Sequence, residues 1–154
     1  MKGPVDAKRA VQTGWIRGGL ALLCVGELSV GVWALFVPVS FYEDFPLPGR
    51  GWVSALGPYN EHLMRDVGAL NLALGALLAL AALLLDRRLV QVSLVVYLVY
   101  AVPHFLFHLT QTHAFSMGDN LAQLVSLGFQ VALPVAILLG VGLRGNRHSE
   151  EVGR

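Results

Sequence analysis

Four stretches of the chain stay apolar far longer than a helix packed in a soluble core needs: residues 15–37, 61–85, 89–113 and 120–143. A bilayer is crossed by about 20 residues rising 1.5 Å each, so each stretch predicts a transmembrane helix. Residues 38–60, PVSFYEDFPLPGRGWVSALGPYN, separate the first two and carry Pro38, Pro46, Pro48 and Pro58 with Gly49, Gly51 and Gly57. Prolines lack a backbone donor, and no spanning helix survives that punctuation. Phe41, Tyr42, Phe45, Trp52 and Tyr59 suit the headgroup level of a bilayer, so this segment is expected to form an ordered aromatic cover over one end of a bundle.

Polar residues refine the boundaries. Arg17 and Glu27 interrupt the first span; its length, the carboxyl of Glu27 and the lack of an A-x-A site favour a retained helix over a cleaved signal peptide. Asn60 is placed to cap the second span, and Glu61 and Asp66 suit its positive dipole end. Gly68, Ala69, Ala73, Gly75 and Ala76 give that span a small-residue surface that lets another helix come close. The polar turn Asp86-Arg87-Arg88 makes the second and third spans antiparallel neighbours. Pro103 lies in the third span and Pro134 in the fourth, and Asn120 followed by Gln123 resembles a capping-box start. The expected organisation is an arm (1–13), a four-helix transmembrane domain (14–143) with its loop at 38–60, and a charged tail (144–154).

Composition agrees with this all-α, antiparallel membrane bundle. The chain is 55% hydrophobic and 14% charged, with mean hydropathy +0.62, whereas soluble domains are about a quarter charged. A net charge of +1 without a basic stripe gives no case for nucleic acid. The lone Cys24 excludes an intramolecular disulfide or a thiolate cage. Lys2, Lys8, Arg9, Arg87, Arg88, Arg144, Arg147 and Arg154 gather on one side, and only Arg50 and Arg65 on the other. The positive-inside rule then puts both termini in the cytoplasm and the 38–60 loop outside, as expected in a bacterial inner membrane.

The candidate chemistry lies in two segments, 59–66 (YNEHLMRD) and 101–113 (AVPHFLFHLTQTH). His104 and His108 are four residues apart and share a helix face. From the helix ends, Asp66 and His108 each lie about 8 Å deep, which predicts that the two segments face each other. Tyr97 and Tyr100 continue the histidine face inward, and Gln123, Ser126 and Gln130 share a face of the fourth span. The candidate ligand-binding set is Glu61, His62, Arg65, Asp66, His104, His108, Tyr97 and Tyr100.

Several readings of this set compete. Buried polar groups can simply hold helices together. A divalent metal can be held by His104, His108, Glu61 and Asp66, since imidazoles spaced i, i+4 with a carboxylate suit zinc or iron; an open position would serve a hydrolase or an oxidoreductase. A quinone or lipid head group can occupy an outer cavity beneath the aromatic loop. A haem would need axial histidines from two helices, such as His62 and His104. Glu27 is a buried acid, expected neutral at mid-membrane because an unpaired charge there is costly, with Gln130 or Ser126 as bonding partner.

The four-helix order, the long first outer loop, GPYNEHLMRDVGALNLALG at the second span and PHFLFH in the third resemble the DoxX-like small membrane proteins of bacteria. The resemblance covers nearly the whole chain. It implies a compact inner-membrane bundle; the name-giving member is linked to quinone-coupled sulfur oxidation, but only the fold and the location carry over, while a quinone or a membrane partner protein stays an expectation from the residues. It assigns no catalytic residue. A ligand-binding or redox-accessory protein is the leading expectation, with a metal-dependent membrane enzyme or a structural subunit of a larger complex as alternatives.

Overall fold

In the computed structural model, the backbone of residues 4–152 and the side chains of residues 13–141 are described. The lysines and arginines of the terminal arm and tail, on which the orientation argument leans, have side chains outside that range. The elements are α1 (Pro4–Phe36), α2 (Pro38–Asp44), α3 (Glu61–Leu84), α4 (Arg87–Thr110) and α5 (Met117–Val152), with 3-10 turns at Ser54–Leu56 and Thr112–Ala114. There is no strand among the described residues. Four segments are long and apolar enough to cross a membrane: Thr13–Phe36, Glu61–Leu84, Arg87–Thr110 and Met117–Val141. The protein is an all-α, four-span membrane bundle.

Local chemistry sets the helix ends. Asn60 accepts from the backbone N–H of Leu63 at 3.1 Å and caps α3 as expected. The turn after α3 is Leu85-Asp86, with Leu85 left-handed (φ 50) and Asp86 capping α4 through the Leu89 N–H at 2.9 Å. α5 begins earlier than the Asn120–Gln123 spacing suggests. Ser116 accepts from the Asp119 N–H at 3.1 Å and donates to its carboxylate at 2.6 Å, so the capping function lies one turn upstream. Asn120 instead donates to the carbonyls of Thr112 and Phe115, tying down the connection before α5.

The bundle is built from two antiparallel pairs. α1 packs on α3, and the small residues are why. A Cβ on Gly68 would run into the backbone of Leu35, one on Gly31 into that of Leu72, and one on Gly75 into the Leu28 side chain. Each step along α1 is matched by the same step backward along α3, so the helix backbones meet at three successive glycines. Ala69, Ala73 and Ala76 are exposed and take no part. Two guanidinium groups close the pair at opposite ends. Arg65 Nη1 donates to the Leu35 carbonyl at 2.6 Å, and Arg17 Nε to the Ala82 carbonyl at 3.1 Å. Both carbonyls lie in a last helical turn, where donors are scarce and positive charge suits the dipole.

The second pair, α4 and α5, closes on the first through Leu20, Leu78, Leu94, Tyr97 and Ile137, all 0–1% exposed. The outer surface is apolar, with Leu22, Val25, Leu83, Val99, Leu121 and Leu139 each more than half exposed. A contiguous apolar exterior of this kind suits lipid rather than water. At the loop end, α2 folds its aromatic residues onto α1. Phe41, 4% exposed, meets Trp33 and Phe45 at centroid distances of 5.9 and 4.9 Å. The loop then reaches α5, where Asp119 accepts from Arg50 Nη1 at 2.9 Å and Trp52 Nε1 at 3.0 Å. The aromatic cover is ordered, and its far end is latched to the start of α5.

Candidate functional site

The first turns of α3 carry four charged or imidazole side chains, and they pair with one another at the surface. Arg65 bonds Glu61 through Nε at 2.9 Å and Nη2 at 2.7 Å. His62 pairs with Asp66 at 3.1 Å, their side chains 89% and 63% exposed. These are i, i+4 pairs of the kind that decorate an exposed helix start. The expected facing of Asp66 and His108 is therefore not formed: depth was matched, but Asp66 projects from the outside of the bundle.

His108 faces Gln123 of α5, and His104 lies partly buried between Tyr100 and His108 along α4. Along α4 the rings follow one another from the core to the loop end. Tyr97 and Tyr100 have centroids 6.4 Å apart, Tyr100 and His104 stack at 5.4 Å and 18°, and His104 meets His108 edge-on at 4.8 Å. Each end of this column is hydrogen bonded to other helices. At the inner end Tyr97, 1% exposed, has its hydroxyl 3.0 Å from Glu27 Oε1 and 3.2 Å from Gln130 Oε1. A phenol carries a single hydrogen. It can go to Gln130 if Glu27 is the neutral acid and donates to the phenol oxygen; otherwise Gln130 presents its amide nitrogen. Asn71 of α3 bonds the Val67 carbonyl at 2.8 Å and interacts with Tyr100. At the outer end His108 Nδ1 and Gln123 Oε1 are hydrogen bonded; in the neutral tautomer that donates there, Nε2 is the ring's acceptor.

This arrangement separates the proposed metal ligands. Glu61 and Asp66 lie on the exposed side of α3, while His108 meets Gln123 of α5 and His104 sits partly buried beside it on α4. Among the described residues no three His, Cys, Asp or Glu side chains gather as a metal site would require. The His62–His104 haem pairing meets the same obstacle, because His62 is held at the exposed surface with Asp66.

Beside His108 the structure opens a groove of about 270 Å³ between α4 and α5. Its walls are apolar (Phe105, Leu109, Met117, Leu121, Leu124 and Leu127), and its polar residues include His108, Gln123, Asn120 and Thr112. Gln123 is 4% exposed, and its amide nitrogen has no hydrogen-bond partner among the described residues. A buried donor left unmade costs about 1–3 kcal/mol, and because this nitrogen is closed to solvent, the Gln123 side chain would have to turn for an acceptor in the groove to take it. No protein-family model, curated protein or solved structure matches the chain. The site is therefore read from its own geometry.

Of the residues singled out in the sequence, Tyr97, Tyr100, His104 and His108 come together, and Glu27 joins them. Glu61, His62, Arg65 and Asp66 form a separate surface cluster. Ser126, offered as a partner for Glu27, instead donates to the Gln123 carbonyl of its own helix. Two participants were missed. Asn71 is the lone polar residue between Asp66 and Asp86, a signal that depth reasoning could have used. Gln123 was noted for helix capping and face sharing, and its place opposite His108 follows only from the α4–α5 packing.

Proposed function

We propose that the protein binds a small amphipathic molecule with a hydrogen-bond-accepting head, of the quinone class, in the groove between α4 and α5. The observation that carries this reading is the unpartnered Gln123 amide beside His108 at the polar end of an apolar slot. A ring carbonyl would take the Gln123 donor once that buried side chain turns toward the groove, and a ring hydroxyl of the reduced form would donate to His108 Nε2. The apolar walls would hold the ring and the start of its tail, as small-molecule sites commonly do. The loop latched at Asp119 borders the same end and would serve as its cover. The protein would thus act as a quinone-binding or redox-accessory component of a bacterial inner membrane.

Titration of a short-chain ubiquinone analogue into the protein in lipid nanodiscs tests this, with quenching of the combined fluorescence of Trp15, Trp33 and Trp52 as readout. Saturable quenching is expected, weakened about tenfold or more, or about 1.4 kcal/mol, by Gln123→Leu. Non-saturable quenching, or quenching indifferent to that substitution, would contradict it. The lysine and arginine asymmetry supports the loop end facing outward. In a Cys24→Ala background, cysteines placed at Ser54 and Ser116 should react with impermeant thiol reagents on intact cells, and cysteines at Lys8 and Asn146 should not. Labelling at Asn146 would reverse the orientation.

The structural-subunit reading keeps one observation in its favour, the exposure of Ala69, Ala73 and Ala76 on α3. A Leu substitution at Ala73 that changed the oligomeric state in mild detergent would support it, and an unchanged state would remove it.

A further inference from the structure

We infer that Tyr97, Tyr100, His104 and His108 pass protons between the groove and the carboxyl of Glu27, making Glu27 an internal proton store for that site. The inference takes its open end from the groove described above, but it does not need any one ligand to be correct. Glu27 is 5% exposed, and its Oε2 has no hydrogen-bond partner among the described residues. A carboxyl serving only as mortar would be expected to use both oxygens. From its Oε1 a hydrogen bond reaches the hydroxyl of Tyr97; beyond it Tyr100, His104 and His108 follow in ring contact, with no hydrogen bond between successive rings among the described residues, and His108 borders the groove. Each member is a hydroxyl or an imidazole, groups that both donate and accept. Because transfer needs heavy atoms about 2.6–3.2 Å apart or one water between them, a proton would cross each ring-to-ring gap by side-chain rotation or through an intervening water. A transfer moves one proton and no electrons: an O–H or N–H bond breaks on one member as one forms on the next. A ligand that gains or loses a proton in the groove, as a quinone and its quinol do, would then exchange it with a buried acid.

The surroundings of Glu27 fit such a store. α4 turns Tyr97 and Tyr100 toward it, α5 the neutral amide of Gln130, and α3 reaches the same network through the neutral Asn71. Buried Cys24 lies one turn away on its own helix. No lysine or arginine is paired with Glu27 among the described residues, so a proton is what neutralises it.

Infrared spectroscopy of the full chain in nanodiscs at neutral pH tests this without added ligand. A protonated-carboxyl stretch should be present and should vanish in Glu27→Gln, which assigns it. On transfer to D2O the band should shift promptly in the native protein, and about tenfold or more slowly in His104→Phe and Tyr97→Phe. Should His104→Phe fail to fold, His108→Phe at the partly buried outer position carries the same expectation. Lack of the band in the native protein, or exchange at the native rate in the folded ring variants, would overturn the inference. Slowed exchange in a protein that binds no quinone would leave the proton path standing and the ligand reading fallen. Quinone binding with exchange indifferent to these variants would do the reverse.

Discussion

The two helix pairs are antiparallel and of similar length, yet they are put together differently. α1 and α3 meet at glycines, and their backbones come close enough that a single methyl group on Gly68 would strike Leu35. Their polar contacts are at the ends, where Arg17 and Arg65 each donate to the last turn of the opposite helix. α4 and α5 are held apart by side chains. A Cβ on Gly128 of α5 would only touch Phe105, at 3.9 Å, and the space between these helices and their partners is filled by Tyr97, His104, His108, Gln123 and Gln130. Close packing at glycines leaves no space between α1 and α3, and their buried polar residues, Glu27 and Asn71, reach Tyr97 and Tyr100 of α4 instead. Packing through hydroxyls, imidazoles and amides leaves donors to spare and a groove at one end. In this molecule one pair is scaffold, and the other is where a ligand can be met.

The largest expected effect comes from breaking the scaffold. Gly68→Ala should destabilise the protein by about 3 kcal/mol, at the upper end for overpacking, whereas Gly128→Ala should be neutral or slightly stabilising. Thermal melts in one detergent compare them directly, and equal losses would erase the distinction between the pairs. Next comes the buried junction. Glu27→Leu strands Tyr97 and Gln130 and should cost about 1–3 kcal/mol. Glu27→Gln, which keeps a donor and an acceptor, should cost under about 1 kcal/mol; a larger loss from Gln would mean that the carboxyl itself is structural. A smaller effect follows from Arg17→Ala, about 1 kcal/mol for a lost charge-assisted helix cap. Denaturant midpoints would detect it, and an unchanged midpoint would show that the Ala82 carbonyl finds another donor.

The four spans, the Asn60 cap and the aromatic cover were legible in the sequence because each depends on local chemistry: apolar length, an N-cap side chain, proline spacing. The pairing was legible only in part. The short Leu85-Asp86 turn makes α3 and α4 consecutive and antiparallel, but α3 spends its glycines on α1, whose matching Gly31 and leucines carry no local sign of it. That one difference relocates the candidate site. With the buried face of α3 turned to α1, Asp66 and His62 are left outside, and His108 finds an amide of α5 in place of a carboxylate. Depth along a helix can be counted from its ends, but rotation about its axis is decided by which neighbour fits, and counting does not supply that. Glu27 was singled out correctly as a buried acid, and Gln130 lies in its network, although the direct partner is Tyr97.

The most direct test of the division between scaffold and site is the quinone-analogue titration run on two sets of variants in parallel. Gln123→Leu and His108→Leu alter the groove, and His62→Ala and Asp66→Asn alter the exposed cluster on α3. Binding should be lost or weakened about tenfold or more in the first set, and native in the second, with melting temperatures close to native except in His108→Leu, which strands the buried Gln123 amide. Native binding in the groove variants, with loss in the α3 variants, would place the site on α3 and contradict the account.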